Sequence, residues 1–240
     1  VKFLLDALNT FIHWVEQFPY ASIDGIWLYQ LEVLGLYLSG GLVFYYFANR
    51  GLKNLLICLF SILLLGVYHV SMSWVDRPLD SIVFYNVRGC PAVHCIDNNG
   101  NSRIVYGDSL SDKRQLYRVA TNYWNHHQLL SPLEVTADYQ DTALCCREQI
   151  LSYHGRRICM VTDHRWRNKS AATPLYIDYL YLCKGYNGHL KELRLLFAPE
   201  CIILDASLSE HRKQLFEEEC KQSGLRFISL SEKGSVRFLL

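Results

Sequence analysis

Between Lys53 and Asp76 the chain reads Asn-Leu-Leu-Ile-Cys-Leu-Phe-Ser-Ile-Leu-Leu-Leu-Gly-Val-Tyr-His-Val-Ser-Met-Ser-Trp-Val, without one Asp, Glu, Lys or Arg. At about 1.5 Å per residue, a helix over this stretch reaches roughly 30 Å, the hydrocarbon thickness of a bilayer. A helix on the surface of a soluble core carries a polar stripe at 3.6-residue spacing, and none is present. A wholly buried helix needs more surrounding protein than 240 residues supply. The stretch therefore reads as a membrane span.

Composition alone conceals this. The whole chain is 50% hydrophobic, 20% charged and carries a net charge of +1, like an ordinary soluble domain. That average mixes an apolar, aromatic part before Asp76 with a part that holds nearly all the charge. Neither part is basic enough for net charge to announce nucleic acid.

Upstream, Leu4, Leu5, Leu8, Phe11, Ile12 and Val15 fall at helical spacing, with Asp6, Asn9, His13 and Glu16 on the other face, until Pro19. Such a helix, with Trp14 and Tyr20 near its end, suits a membrane interface or packing against further membrane helices. It lacks the basic start and small-residue cleavage site of a signal peptide. With Val1 first and no initiator Met, the chain is expected to be a piece of a longer protein. A second apolar run from Gly25 to Asn49 is interrupted only by Gln30 and Glu32. Glu32 belongs at the headgroup level or against a cavity or partner, and Ser39-Gly40-Gly41 is expected to let another backbone approach. The bend Asn49–Asn54 joins the two spans. Its Arg50 and Lys53, against Asp24, Asp76 and Asp80 at the far ends, place the bend in the cytoplasm and the ends outside.

Beyond Leu79 the pattern becomes β-rich. Ser81–Val87, Ala92–Ile96, Arg103–Tyr106, Arg157–Thr162, Asp178–Cys183, Cys201–Leu204, Arg226–Ser229 and Val236–Leu240 read as strands. Asp97-Asn98-Asn99-Gly100 is a hairpin turn. Helices are expected over Arg114–His127 behind a Ser111 cap, over His189–Phe197, and over Ser209–Ser223 with Gly224 as its stop. Leading strands followed by β-α-β alternation indicate a layered α/β domain of roughly 160 residues. The expected domains are 1–76 for the membrane part and 77–240 for the layered part.

All nine cysteines except Cys58 lie in that second part, with no C-x-x-C spacing. Cys90, His94 and Cys95 make a zinc corner only if further ligands fold in. Cys183 and Cys201 alternate with aliphatics, as thiols do in core strands; in an oxidising compartment some pairs would be bridged, and spacing does not say which.

The succession of two apolar helices, Val87-Arg88-Gly89-Cys90-Pro91-Ala92, Arg157–Asp163, Asp178–Gly185 and Cys201–Ser207 resembles the C-terminal end of ComEC-type DNA-internalisation proteins of bacterial natural competence. The resemblance covers essentially this whole chain but only the last part of a full ComEC. It implies a multi-helix inner-membrane channel followed by a metallo-β-lactamase-like αβ/βα domain, with single-stranded DNA as partner. It also implies bilayer lipid around the spans, channel helices preceding Val1, and a periplasmic or extracellular C-terminal domain.

The family's metal motifs are not matched. In its V-G-Q-G-D-A turn the acidic residue is replaced by Pro91. Its L-L-T-G-D strand end corresponds to Met160-Val161-Thr162-Asp163, with Asp163 as the surviving carboxylate. Its H-H-G-S stretch falls on Lys184-Gly185-Tyr186-Asn187, and nothing between Tyr106 and Arg157 resembles H-x-H-x-D-H. A two-metal hydrolase needs clustered His and Asp ligands. The expectation is a non-enzymatic domain without metal or other cofactor, with Asp163, Lys184 and Gly185 as vestigial site positions. Arg165, Arg167 and Lys169, with Trp166 between, are candidates for phosphate contact and base stacking; the alternative is a solvated loop with its aromatic packed inward. Two rival functions remain: a membrane-anchored metal-dependent nuclease using scattered ligands such as His94, His164 and His189, and a membrane-tethered interaction domain unrelated to DNA.

Overall fold

In the computed structural model of the chain, the described residues are 5, 6, 8–10, 12, 14, 27–107, 112–135 and 138–240. Most of the amphipathic stretch 1–20, together with Asp24, Gly25 and Ser111, lies outside them. The chain divides into two compact units, Val1–Val75 and Asp76–Leu240.

In the first unit, α1 spans Gln30–Ala48 and α2 spans Leu52–Val75. Both are long and apolar enough to cross a membrane. Within this chain they are little buried: only 11% and 6% of their apolar windows are covered. The polar residues that the hairpin does bury are Glu32 and Ser39. Glu32 is 1% exposed, while Phe44, Leu52 and Val75 are among the many exposed apolar side chains. Glu32 Oε1 lies 2.7 Å from His69 Nδ1, and its Oε2 accepts the Tyr29 N–H at 2.9 Å. Glu32 thus faces a partner on α2, one of the two situations its position allowed. The close helix approach is not at Gly40 and Gly41, where an added Cβ would meet nothing within 4 Å. It is one turn from Glu32, at Gly35, where a Cβ would stand 2.8 Å from Leu65 Cδ1.

The second unit is mixed α/β, built on two sheets. The first has the order β12-β1-β2-β3-β4, from Val236–Leu239, Ser81–Phe84, Ala92–Ile96, Ser102–Tyr106 and Leu133–Val135. The other runs β11-β10-β9-β8-β7-β6-β5, from Arg226–Ser229, Phe197–Leu204, Leu175–Leu182, Arg156–Val161, Ile150–Tyr153, Leu144–Arg147 and Tyr139–Gln140. Strand alternation divides their side chains into three apolar layers. Ile82, Phe84, Val93 and Cys95 meet Ile158, Met160, Tyr181 and Ile203 between the sheets. Val83, Tyr85, Ala92 and Ile104 point the other way, onto Leu116, Ala120 and Trp124 of α3 (Lys113–His126). On the outside of the second sheet, Cys159, Leu180 and Ile202 pack with Leu190 and Leu193 of α4 (Leu190–Arg194) and with Phe216 and Cys220 of α5 (Glu210–Ser223). The layers are therefore helix, sheet, sheet, helix.

The expected elements recur with shifted ends. The helix expected over His189–Phe197 is only five residues long, because Phe197 already pairs with Leu175 and β10 runs past Pro199. Ser209 Oγ accepts the Arg212 N–H at the start of α5, and Gly224 ends it at φ 66°. Residues 133–153 hold four strands that the pattern did not announce. The β6–β7 turn is made by Glu148 and Gln149 at φ 47° and 72°, so the glycine or asparagine that advertises such a turn is missing. A short helix, α6 (Leu230–Lys233), was also unread. All nine cysteines are free, and all but Cys145 are buried.

Candidate functional site

Strands β8, β9, β10 and β11 are parallel, so their carboxyl ends share one edge of the sheet, the usual place for a ligand in such folds. Two close approaches bring the first sheet to the same edge. A Cβ on Gly107, just past β3, would stand 2.8 Å from Thr162 Cγ2 and 3.2 Å from Pro91 Cγ. A Cβ on Gly185, just past β9, would fall 1.8 Å from the Thr162 carbonyl oxygen. Pro91, Thr162 and Gly185, which lie in the three stretches that the family resemblance aligned with its motifs, are thus gathered at one place.

Beside them lies an open cleft of about 610 Å³. Its walls include Arg88 before β2, Lys184 and Asn187 after β9, Ser207 after β10, Arg212 on α5 and Gln115 on α3. Hydrogen bonds hold these segments in register. Ser207 Oγ accepts the Gly89 N–H at 2.6 Å, tying the first turn to the end of β10. Arg212 Nη2 donates to the Gly188 carbonyl at 2.6 Å and to that of Tyr186 at 3.3 Å. Its guanidinium lies 4.6 Å over the Phe216 ring, and its Nε is buried without a partner. Tyr186, stacked on Phe216, donates to the His189 carbonyl at 3.0 Å; burial pushes its hydroxyl up to about 12, so it stays protonated.

Below Ser207, Asp205 is 1% exposed. Its carboxylate accepts the Tyr181 hydroxyl at 2.5 Å and the Ser207 N–H at 2.9 Å, and burial raises its pKa above the ordinary range. Arg88, Asp205 and Ser207 lie in stretches that carry the family resemblance, but no sequence signal assigned them or Arg212 to a site. The Asp-Ala-Ser stretch after a buried strand was the available signal.

Asp163 stands at the end of β8 but faces its own loop. Arg165 Nε donates to both carboxylate oxygens at 3.1 and 3.0 Å, and the Arg165 N–H adds a third bond at 3.0 Å. Arg167 Nε lies 3.9 Å from Glu192 Oε2. Trp166 is half-buried, its ring edge-on to Phe197 at 5.2 Å with Lys169 Nζ 5.5 Å from its centroid. The strip Arg165–Lys169 is thus a loop with two of its cations ion-paired and its indole against the core.

The histidines are dispersed. His94 is fully buried on the outer face of the first sheet, Nδ1 2.6 Å from the Tyr85 hydroxyl, whose oxygen accepts the Trp124 Nε1–H at 2.9 Å. Tyr85 therefore donates to His94, leaving the His94 Nε2–H unpartnered. Burial lowers the pKa of His94 to about 3, so it is neutral. Cys95 points the opposite way, between the sheets, so the corner Cys90-His94-Cys95 does not close. His189 Nδ1 is 2.6 Å from Glu219 Oε1, and His164 touches the Tyr186 ring. Among the described residues, no three of His, Cys, Asp and Glu come together to hold a metal ion. The residues at the positions where the resemblance would put metal ligands do not fit a two-metal centre: Pro91 has no donor, Lys184 brings a positive charge, and both oxygens of Asp163 are engaged by Arg165.

A four-layer α/β unit, preceded in the chain by two apolar helices long enough to cross a bilayer, defines the class as a membrane-associated α/β protein. The chain belongs to the ComEC C-terminal domain family, whose model matches residues 82–240. No curated protein and no solved structure matches it. Family membership ties the chain to DNA uptake in competence, and with the two apolar helices it marks a membrane protein.

Proposed function

We propose that this chain is part of an inner-membrane DNA-translocation protein of natural transformation, and that its second unit, lactamase-like in its layering, does no catalysis. The observation that supports this most directly is the residue set at the β8, β9 and β2 ends. Metal hydrolysis needs several convergent anionic or imidazole ligands in fixed geometry. Pro91, Lys184 and Gly185 stand there instead, and Asp163 is neutralised by Arg165. One carboxylate leaves most coordination positions of a divalent ion to water, and a lysine ammonium beside it repels the ion. The core between the sheets is built from other residues, so such losses leave the fold intact.

The charge pattern supports a cytoplasmic Arg50–Lys53 bend with the second unit on the periplasmic side. The test of the non-catalytic reading is elemental analysis of the purified chain in detergent, then incubation with single-stranded DNA plus zinc or manganese. The expected result is neither stoichiometric metal nor cleavage. Cleavage that Asp163→Ala abolishes would overturn the reading in favour of the nuclease.

A further inference from the structure

We infer that the cleft at the strand ends is a phosphate site in which Arg88, Lys184 and Arg212 hold a nucleic-acid phosphate. The inference rests on the DNA-uptake reading for its ligand; its geometry stands by itself. Three cations line one cleft, and no carboxylate is among its described lining residues. Arg88 and Lys184 are exposed, and among the described residues neither has a carboxylate within 4.0 Å. Like charges brought together without counter-ions repel, and an anionic ligand relieves that repulsion.

Arg212 contributes differently. Its Nη2 is occupied by the carbonyls of Tyr186 and Gly188, and its Nε–H is buried without a partner. A buried donor left unsatisfied costs free energy that an acceptor oxygen recovers. The first turn of α5, opened by Ser209, reaches the same cleft and adds its N-terminal dipole to the three charges. Asp205 beneath does not cancel this, because its oxygens are taken by Tyr181 and Ser207 inside the fold.

The chemistry selects phosphate over base. The one aromatic lining the cleft, Tyr186, is 1% exposed and stacked on Phe216, so it has no free face for a base. Binding should therefore be indifferent to sequence and strongly dependent on salt.

The experiment is fluorescence anisotropy of labelled oligo-dT on the full chain in detergent, across a salt series. Arg88→Ala/Lys184→Ala should weaken binding on the order of tenfold and flatten the slope of log K against log salt by about 1.4, two phosphate contacts on a single strand. Lys184→Arg should restore most of the lost affinity. Oligomers ending in 5′-hydroxyl or 5′-phosphate, with inorganic phosphate as competitor, separate an internal phosphodiester from a terminal phosphate; either supports the site if the double variant abolishes the signal. Binding that survives the double variant but is lost in Arg165→Ala/Arg167→Ala/Lys169→Ala would overturn the inference and move the contact to that loop. Absence of oligo-dT binding by the unmutated chain also overturns it. Neither result touches the non-catalytic reading, which fails only by cleavage.

Discussion

Gly185 sits where two strand ends come so close that any side chain would meet the Thr162 carbonyl. Gly185→Ala should therefore lower stability by about 1–3 kcal/mol, since backbone and not a flexible side chain must yield. Lys184, one residue earlier, is exposed and among the described residues has no carboxylate within 4.0 Å, so Lys184→Ala should change stability by less than about 0.5 kcal/mol. Urea midpoints of the two variants check the contrast; a large fall for Lys184→Ala would mean that this lysine is structural. His94 offers a second test. It is held neutral down to about 3 in the fold, whereas an unfolded histidine titrates near 6.5. Below about 6.5 the unfolded chain takes up a proton that the native one refuses. The stabilisation is complete above that pH and is lost as pH falls toward 3, by up to about 1.4 kcal/mol per unit. Asp205, raised by burial, works in the opposite sense over the acid end of this range. His94→Gln removes the histidine contribution alone, so urea midpoints between pH 7 and 4 should fall less steeply than in the unmutated chain. An unchanged slope would show that another group dominates.

At the scale of elements, the α1–α2 hairpin inverts the order of a soluble helix pair: the Glu32 carboxylate is buried against a partly exposed His69, and leucines face outward. In hydrocarbon the apolar faces supply no drive to pair, so close packing and polar contacts hold the helices together. Glu32→Ala removes both the His69 contact and the bond to the Tyr29 N–H, and should weaken the pairing by about 1 kcal/mol. Gly40→Ala, which meets nothing, should leave it unchanged. Unfolding of the hairpin in rising SDS fractions, followed by circular dichroism, separates the two. The short strands β4 to β7 illustrate another limit at this scale. Two to four residues each, joined by turns on Glu148-Gln149 and His154-Gly155, they carry too few alternations for a period to emerge from the sequence.

For the molecule as a whole, the boundary falls between Val75 and Asp76, where the long apolar run stops. Arg50 and Lys53 are the only charges in the bend between the helices. A reporter fused after Leu240 should accordingly be active only if it functions in the periplasm. Activity of a cytoplasmic reporter at that position would reverse the orientation.

The sequence by itself determined the two long apolar helices, because an apolar run long enough to cross a bilayer and bounded by charges is a local property. It also carried the layered α/β class and the family, because alternation and turn residues are local as well. Lys184 and Gly185 were legible through their motif positions. The cleft was not. Arg88, Lys184, Ser207 and Arg212 are scattered along the chain, and only the parallel order β8-β9-β10, with the Gly89–Ser207 bond across the sheets, brings them to one edge. Nor could spacing distinguish Arg165, whose charge is spent on Asp163, from Lys184, which among the described residues meets no carboxylate. Which cations remain available to a ligand depends on which carboxylates the fold brings beside them, and that is a property of the tertiary structure alone.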